Sequence, residues 1–205
     1  MQSLCFGRMP RWEPDGVERL QAAALELFAE QGFERTTVAE IALRAGLTQR
    51  TFFNHFADKR EVLFGLSLEF QQEILREIAA CPDALPPLDA VVHALQAAAE
   101  AMFEERRAAV IRRHEVIDAN PELQERELSK RAALTDAIAA ALHARGVDPE
   151  TALLTASAGL LVQQTAIRRW TRPAESRPLR ELLADALRSL RTTVSQRPGR
   201  RVASQ

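Results

Sequence analysis

The chain has few of the residues that stabilise small secreted proteins or bind metals. Its two cysteines, Cys5 and Cys81, are far apart and make no disulfide framework, so we expect a reducing, cytoplasmic setting. The four histidines show no metal-ligand spacing, and neither a glycine-rich phosphate loop nor a nucleophile elbow occurs. No apolar run approaches the ~20 residues that span a bilayer. We therefore expect no enzyme, no metal or cofactor site and no membrane segment.

Aromatic residues are also scarce, at 5% of the 205 residues, and tyrosine is absent. Hydrophobic residues make up 46%, and most of them are alanine, leucine and valine. This composition, with few β-branched runs, favours an all-α protein. The net charge of −1 indicates neither a basic tail nor an acidic solvating segment. Function is therefore expected to depend on local motifs rather than on overall charge.

The stretch TVAEIALRAGLTQRTFFNHFADKRE, residues 37–61, has the layout of a helix-turn-helix. Thr37 and Glu40 have the spacing of a capping box, which predicts a helix start directly after Thr37. Gly46 suits the left-handed residue that ends a helix, and Thr48 is the predicted N-cap of the next helix, QRTFFNHF. The motif therefore predicts two short helices around a glycine turn.

A third helix is predicted directly after the motif. Asp58 and Glu61 repeat the capping-box pattern, so we predict one continuous helix from Lys59 to about Ala80. Lys59 would then lie near the free N–H groups at the start of this helix, which is a natural phosphate site. Such a long helix would also link a small N-terminal head to the rest of the chain.

The second helix of the motif has an apolar and a polar side. Phe52 and Phe56, at i and i+4, are predicted to pack beneath it with Phe53 beside them. Its polar residues can donate to phosphate oxygens or read base edges in the major groove. Spacing alone also fits an ordinary helical bundle, and the head is not basic overall. The predicted DNA-binding residues are Thr37, Arg44, Thr48, Gln49, Arg50, Thr51, Phe53, Asn54, His55 and Lys59.

The run GFERTTVAEIALRAGLTQRTFFNHFADKREVL resembles the N-terminal signature of the TetR family of bacterial repressors, and Val17 to Gln31 resembles that family's first helix. Together they cover about a third of the chain. The resemblance implies a cytoplasmic homodimer that binds double-stranded DNA at a palindromic operator. The family often has a tyrosine that touches phosphate where this chain has Phe52 or Phe53. A phenolic hydrogen bond is therefore missing here, which would leave more of the anchoring to Thr51, His55 and Lys59.

We therefore predict an all-α protein of about nine helices, with a three-helix head and a helical body for ligand binding and dimerisation. The predicted divisions are a flexible arm at 1–14, the DNA-binding domain at 15–62, the body at 63–196 and a disordered tail at 197–205. Proline and glycine signals place five further helices in the body. Their predicted bounds are Leu88 to Phe103, Arg106 to Ala119, Pro121 to Arg145, Pro149 to Trp170 and Leu179 to Val194.

The last two helices are the predicted dimerisation elements, because two heads must be held about 34 Å apart to read a palindrome. Small residues permit close approach of helices, and the last helix has an apolar face. The same faces could instead form the core of a single chain. The helix from Pro149 to Trp170 is predicted to be buried on most sides. The predicted interface residues are Ala152, Ala156, Gly159, Leu183, Leu187 and Leu190.

The body also contains polar residues within apolar helices, which is typical of a small-molecule site. The segments RRHEVIDANPELQERE and IRRWTR are similar to a TetR subgroup with an acyl-CoA-like ligand-binding domain. This resemblance implies a small apolar effector such as a fatty acyl-CoA, whose phosphate groups could be bound by arginines of the body. Plain core and solvated helix faces are the alternatives. The predicted ligand-binding residues are Met102, Phe103, Val110, Arg113, His114, Ile117, Leu134, Ile138, Leu160, Gln163, Gln164 and Ile167.

These features together predict a ligand-responsive, homodimeric repressor that a small apolar effector releases from DNA. The alternative is a helical DNA- or lipid-binding dimer in which ligand and DNA do not influence each other. The two differ in whether the ligand has different affinities for the DNA-bound and free forms.

Overall fold

The computed structural model describes residues 16–195, which form nine α-helices and two short 3-10 helices without any strand in that range. The predicted all-α fold is therefore confirmed. The predicted arm at 1–14 and tail at 197–205 lie outside the described residues. The described residues form two compact units that meet in sequence at Gly65 and Leu66, three residues after the predicted boundary.

The N-terminal unit, here called the head, contains three α-helices and a 3-10 turn. Leu20, Ile41 and Phe52 are fully buried in the head, and Phe56 is nearly so. The prediction that Phe52 and Phe56 pack beneath the second helix of the motif is therefore confirmed. The elements of the head are α1 (Gly16–Gln31), α2 (Val38–Arg44), α3 (Gln49–His55) and the 3-10 turn Glu61–Phe64.

The prediction of one helix from Lys59 to Ala80 is wrong. The 3-10 turn Glu61–Phe64 is separate from α4, which begins at Ser67. Gly65 lies in the interruption, and glycine is a poor helix former. A Cβ atom at this position would lie 2.8 Å from Cε1 of Phe56 and would also collide with Gln21. The backbone at Gly65 therefore packs closely against Phe56 and Gln21 where the predicted helix is interrupted. The capping pattern contains no information about this packing.

The second unit, here called the body, contains six α-helices, and the last five of them begin and end within one residue of their predicted bounds. The helix predicted from Pro149 to Trp170 has these bounds in the structure, and Asp148 caps it by accepting from the backbone N–H groups of Glu150 and Thr151. The helices are α4 (Ser67–Ala80), α5 (Pro87–Met102), α6 (Arg107–Asp118), α7 (Pro121–Ala144), α8 (Pro149–Trp170) and α9 (Leu179–Ser195). The second 3-10 turn, Glu104–Arg106, joins α5 to α6.

Helix α5 lies at the centre of the body, in contact with α4, α8 and α9. Its inward face consists of small and branched side chains, which allow the surrounding helices to approach closely. Trp170, at the end of α8, is the largest fully buried side chain of the body. The buried residues of α5 are Ala90, Val91, Val92, Ala94, Leu95, Ala98 and Ala99.

The prediction that α8 is buried on most sides is wrong. Three of its leucines are largely exposed: Leu153 at 49%, Leu154 at 65% and Leu161 at 52%. Ser157 lies between them at helical spacing and is also exposed. The apolar composition of this helix therefore reflects two apolar sides, of which only one is covered within the chain.

Candidate functional site

The caps and the turn of the motif position α2 and α3 in the head. The hydroxyl of Thr37 accepts from the Glu40 N–H at 3.2 Å, and the Glu40 carboxylate accepts from the Thr37 N–H at 2.8 Å. The predicted capping box is therefore confirmed, and the hydrogen bonds from Thr37 lower the pKa of Glu40. Gly46 has a φ of 66°, which a residue with a Cβ rarely adopts. Thr48 caps α3 by accepting from the Thr51 N–H at 3.1 Å.

Arg44, a predicted DNA-binding residue, is engaged within the head. Its guanidinium donates two hydrogen bonds to Glu30 of α1, at 2.9 and 2.8 Å, and a longer one to Glu26 at 3.4 Å. The bonds to Glu30 raise the pKa of Arg44 and lower that of Glu30. Arg19 of α1 also donates a hydrogen bond to the carbonyl oxygen of Ala45, the residue that directly follows α2. These ties hold α2 against α1, a role for Arg44 that the sequence reasoning missed.

Lys59 is also engaged within the head rather than at a helix N-terminus. Its ammonium group donates to the carbonyl oxygens of Phe33, Glu34 and Thr36, at 2.9, 3.2 and 3.3 Å. The nitrogen also lies 4.3 Å from the centre of the Phe33 ring, within the range of a cation–π contact. Lys59 therefore closes the loop between α1 and α2, and the helix start on which its phosphate role was predicted does not exist.

The remaining predicted DNA-binding residues lie on α3, and most of them point away from the head. Gln49, Arg50 and Asn54 are exposed and, within residues 16–195, have no hydrogen-bond or ion-pair partner through their side chains. His55 is exposed beside Phe56, whereas Thr51 is half-buried and shares a hydrogen bond with the Thr48 hydroxyl. This outer side of α3 presents donors and acceptors whose geometry is set by a capped, packed helix.

The body contains a polar cluster where α6 and α7 meet. Arg113 donates to the Glu127 carboxylate at 2.7 Å, and Arg131 lies 3.9 Å from the same group. Burial raises the pKa of Glu127, but Arg113, together with His114 and Arg131, more than offsets this effect, so the pKa is lowered. Burial lowers the pKa of the neighbouring His114, whose Nδ1 pairs with the Val110 carbonyl oxygen at 2.9 Å. The cluster is internally paired and partly accessible.

The other predicted ligand-binding residues divide into two groups. Ile117, Ile138 and Leu160 are buried, as plain core residues would be. None of the predicted ligand-binding residues lines the open groove of about 590 Å³ between the end of α8 and α9, or the smaller concavity in the head between α1 and the end of α2. The half-buried members of the set are Met102, Phe103, Val110, Leu134, Gln163, Gln164 and Ile167.

The junction between α5 and α6 has a role that the sequence reasoning missed. Glu104 accepts from the backbone N–H of Leu179 at 2.7 Å and so caps the start of α9. Arg107 donates to the carbonyl oxygen of Trp170 at 2.7 Å and to that of Glu175, beyond the end of α8. The ring of Phe103, in the same junction, stacks on Phe70 of α4 at 5.0 Å. One short segment thus contacts three helices of the body.

The predicted interface residues are placed differently from the prediction. Ala152, Ala156 and Gly159 are buried in the core of a single chain, as are Leu183 and Leu187. These side chains are covered by their own chain and present little surface to a second copy. Leu190 is half-buried against the same core.

The capped α2–turn–α3 unit with an exposed polar helix, followed by a helical body, defines a helix-turn-helix protein. Residues 20–66 match the family described as bacterial regulatory proteins, tetR family, and residues 85–195 match the MftR C-terminal domain. The chain belongs to the TetR family of transcriptional regulators. Within residues 16–195, none of the helices has the length and apolarity that crossing a membrane requires.

Similar proteins include the transcriptional regulator TcmR of Streptomyces glaucescens, 39% identical over 80 residues, or 39% of this chain and 35% of that protein. The regulator HbdR of Aromatoleum is 30% identical over 107 residues, or 50% of this chain and 45% of that protein. The chain thus spans less than half the length of these curated relatives, which are regulators rather than enzymes. FadR of Thermus thermophilus, a TetR family repressor solved with lauroyl-CoA, is 25% identical with a TM-score of 0.53, over 92% of this chain and 100% of that one.

Proposed function

We propose that this chain is a homodimeric transcriptional repressor that binds a palindromic DNA site through α3 and is released by an apolar effector. The observation that carries the proposal is the outer side of α3, where Gln49, Arg50 and Asn54 are exposed and unpaired within the described residues. An arginine can bond both acceptors of guanine, and an asparagine or glutamine can pair with adenine. Side chains without partners on a helix held by caps suit such contacts.

Arg50 offers the sharpest test of DNA reading. We expect Arg50→Ala to weaken binding to a selected DNA site by about 1–3 kcal/mol, the range for one bidentate base contact. The site would be selected from a random pool and the affinity measured by fluorescence anisotropy at fixed salt. Arg112→Ala, which removes the same charge from an exposed position on α6, is the matched control. Unchanged affinity of the Arg50 variant would overturn the assignment of α3.

The dimer is proposed to form through the exposed side of α8. Leu153, Leu154 and Leu161 share this side, and a second copy related by a two-fold axis would cover the same residues on both chains. We expect Leu154→Glu to yield a monomer in sedimentation experiments and to lose affinity for the palindrome. Leu128→Glu is the control, because Leu128 of α7 is similarly exposed, at 60%. If the Leu154→Glu variant remains dimeric, the exposed side of α8 is not the dimer interface.

The effector is proposed to be a fatty acyl thioester that binds in the body. Support comes from the similarity to Thermus FadR, whose structure contains lauroyl-CoA. In this chain, the half-buried apolar side chain of Val110 lies on α6, one helical turn before Arg113, which pairs with Glu127. The half-buried ring of Phe103 directly follows α5. An acyl chain would have to displace these apolar side chains in order to bind between them. A basic side chain such as that of Arg113 would then pair with a phosphate group of the CoA portion.

Titration of lauroyl-CoA into the protein–DNA complex tests this effector, with free CoA and laurate as controls. Release of DNA by the thioester, and weaker thioester binding in the presence of DNA, is the expected result, because linkage is reciprocal. If the palindrome is bound equally well with and without lauroyl-CoA, the proposed DNA binding is supported but lauroyl-CoA is not the effector. Thioester binding that leaves DNA affinity unchanged would support a dimer whose two sites are uncoupled.

A further inference from the structure

Phe53 is the one residue on the outer side of α3 that cannot form a hydrogen bond through its side chain. It is 55% exposed, whereas the preceding Phe52 is completely buried. Its only ring contact within residues 16–195 is an edge-to-face one with Phe52, at 5.6 Å. Phe52 and Phe56 therefore belong to the core of the head, whereas Phe53 presents most of its ring to solvent.

The position of Phe53 places this ring among the polar residues of α3. Phe53 lies four residues after Gln49 and three after Arg50, so the three side chains share one side of the helix. Within residues 16–65, Leu43 and Phe53 are the large apolar side chains that remain exposed. Leu43 lies on α2, so Phe53 is the exposed apolar group of the helix that we propose enters the groove.

The chemistry of a phenyl ring narrows what it can recognise in DNA. It has no O–H or N–H to donate to a phosphate, so a contact with the backbone would add little. In the major groove, the apolar feature of the base edges is the 5-methyl group of thymine, which side chains such as phenylalanine contact. Contact between the phenyl ring and this methyl group is favourable because it removes apolar surface of both groups from water.

We propose that Phe53 is a specificity-determining residue that reads a thymine through its 5-methyl group, next to the bases contacted by Gln49 and Arg50. This inference rests on the proposed DNA binding by α3 and adds to it the identity of one base in each half-site. The preference for thymine arises from an apolar contact, so it is separable from hydrogen-bond readout.

Single replacement of each thymine in the selected site by deoxyuridine provides the test, because it removes the methyl group and leaves the base-pairing edge intact. For the unsubstituted protein, we expect affinity to fall about fourfold at one thymine per half-site, the equivalent of one buried methyl group. Phe53→Ala should bind thymine and deoxyuridine equally at that position. Phe53→Leu, which keeps an apolar side chain, should retain part of the discrimination.

Leu43→Ala is the matched control, because it removes an exposed apolar side chain from α2 and should leave the discrimination unchanged. Two results would overturn the proposal. One is that no thymine has a methyl group that affects the affinity. The other is that the methyl effect survives in Phe53→Ala, so that the variant loses the same factor in affinity on thymine and on deoxyuridine DNA. If Arg50→Ala is impaired while either of these holds, DNA reading by α3 stands and only the thymine contact fails. If no DNA site is selected, the proposed function fails with it.

Discussion

Replacement of Gly159 by alanine should destabilise the body, although alanine is the better helix former. Gly159 lies in α8 where this helix meets α5, and a Cβ atom there would collide with Cγ1 of Val91 and lie 3.3 Å from its Cβ. Val91 is completely buried. A β-branched side chain in a helix has one strongly preferred χ1 rotamer, so Val91 cannot simply turn away.

Two opposing effects set the magnitude for Gly159→Ala. Alanine gains about 1 kcal/mol over glycine inside a helix. Overpacking of a core costs about 1–3 kcal/mol, and collision with a stiff, buried side chain favours the upper end of that range. We therefore expect a net loss of about 2 kcal/mol in the free energy of unfolding. For a chain of this size, that corresponds to a decrease of about 4–8 °C in Tm.

Urea and thermal unfolding of Gly159→Ala, Val91→Ala and the double variant would measure this effect. All unfolding should be done at one protein concentration, because the proposed dimerisation would make the apparent stability depend on concentration. Val91→Ala alone should cost about 2 kcal/mol through lost burial and a cavity. In the double variant, the new methyl group fills the space that Val91 leaves, so the two losses should not add.

A Gly159→Ala variant at least as stable as the unsubstituted protein would refute the close approach of α5 and α8. A variant that changes only dimer dissociation, without compensation by Val91→Ala, would also refute it. That second result would instead support the interface that the small residues of α8 predict from sequence.

Three further predictions concern the polar side chains of Lys59, His114 and Arg107. Lys59→Met should lower the free energy of unfolding by about 1.5–3 kcal/mol, measured by urea unfolding, because three carbonyl oxygens lose a charged donor. Burial lowers the pKa of His114, so the unfolded chain binds more protons just below pH 6.5 and stability should rise with pH there, by at most about 1.4 kcal/mol per pH unit. His114→Gln should flatten that dependence in unfolding measured across this window. Arg107→Met should speed hydrogen exchange at the end of α8, because the carbonyl oxygen of Trp170 loses its donor.

Sequence reasoning succeeded where a structural signal is local. The capping box of Thr37 and Glu40, the left-handed Gly46 and the start of α8 after Asp148 involve residues within a few positions of each other. Their conformations are determined by short-range sterics and hydrogen bonds, so a single sequence carries the information. The break at Gly65 was missed because it accompanies packing against a side chain distant in sequence, that of Phe56.

The partners of the long cationic side chains could not be predicted in the same way. Arg44 and Lys59 were predicted to face DNA, yet each reaches a partner at least 14 residues away within the head. A flexible cationic side chain can satisfy its donors with any nearby carboxylate or carbonyl oxygen, and the choice depends on the tertiary fold. Arg50, by contrast, is exposed and has no hydrogen-bond or ion-pair partner through its side chain within the described residues.

The two sides of α8 show why a dimer surface is hard to read from one sequence. Small residues such as Ala156 predict that another helix comes close, but they do not say whether it belongs to the same chain. In the structure that helix is in the same chain, and the leucines are left outside. Full burial of a leucine gains about 1.5–3 kcal/mol, so six half-exposed leucines in two copies would gain roughly 6 kcal/mol. Association costs about 4–15 kcal/mol in lost freedom, so a stable dimer needs further apolar contacts, for which Val194 of α9, 73% exposed, is available.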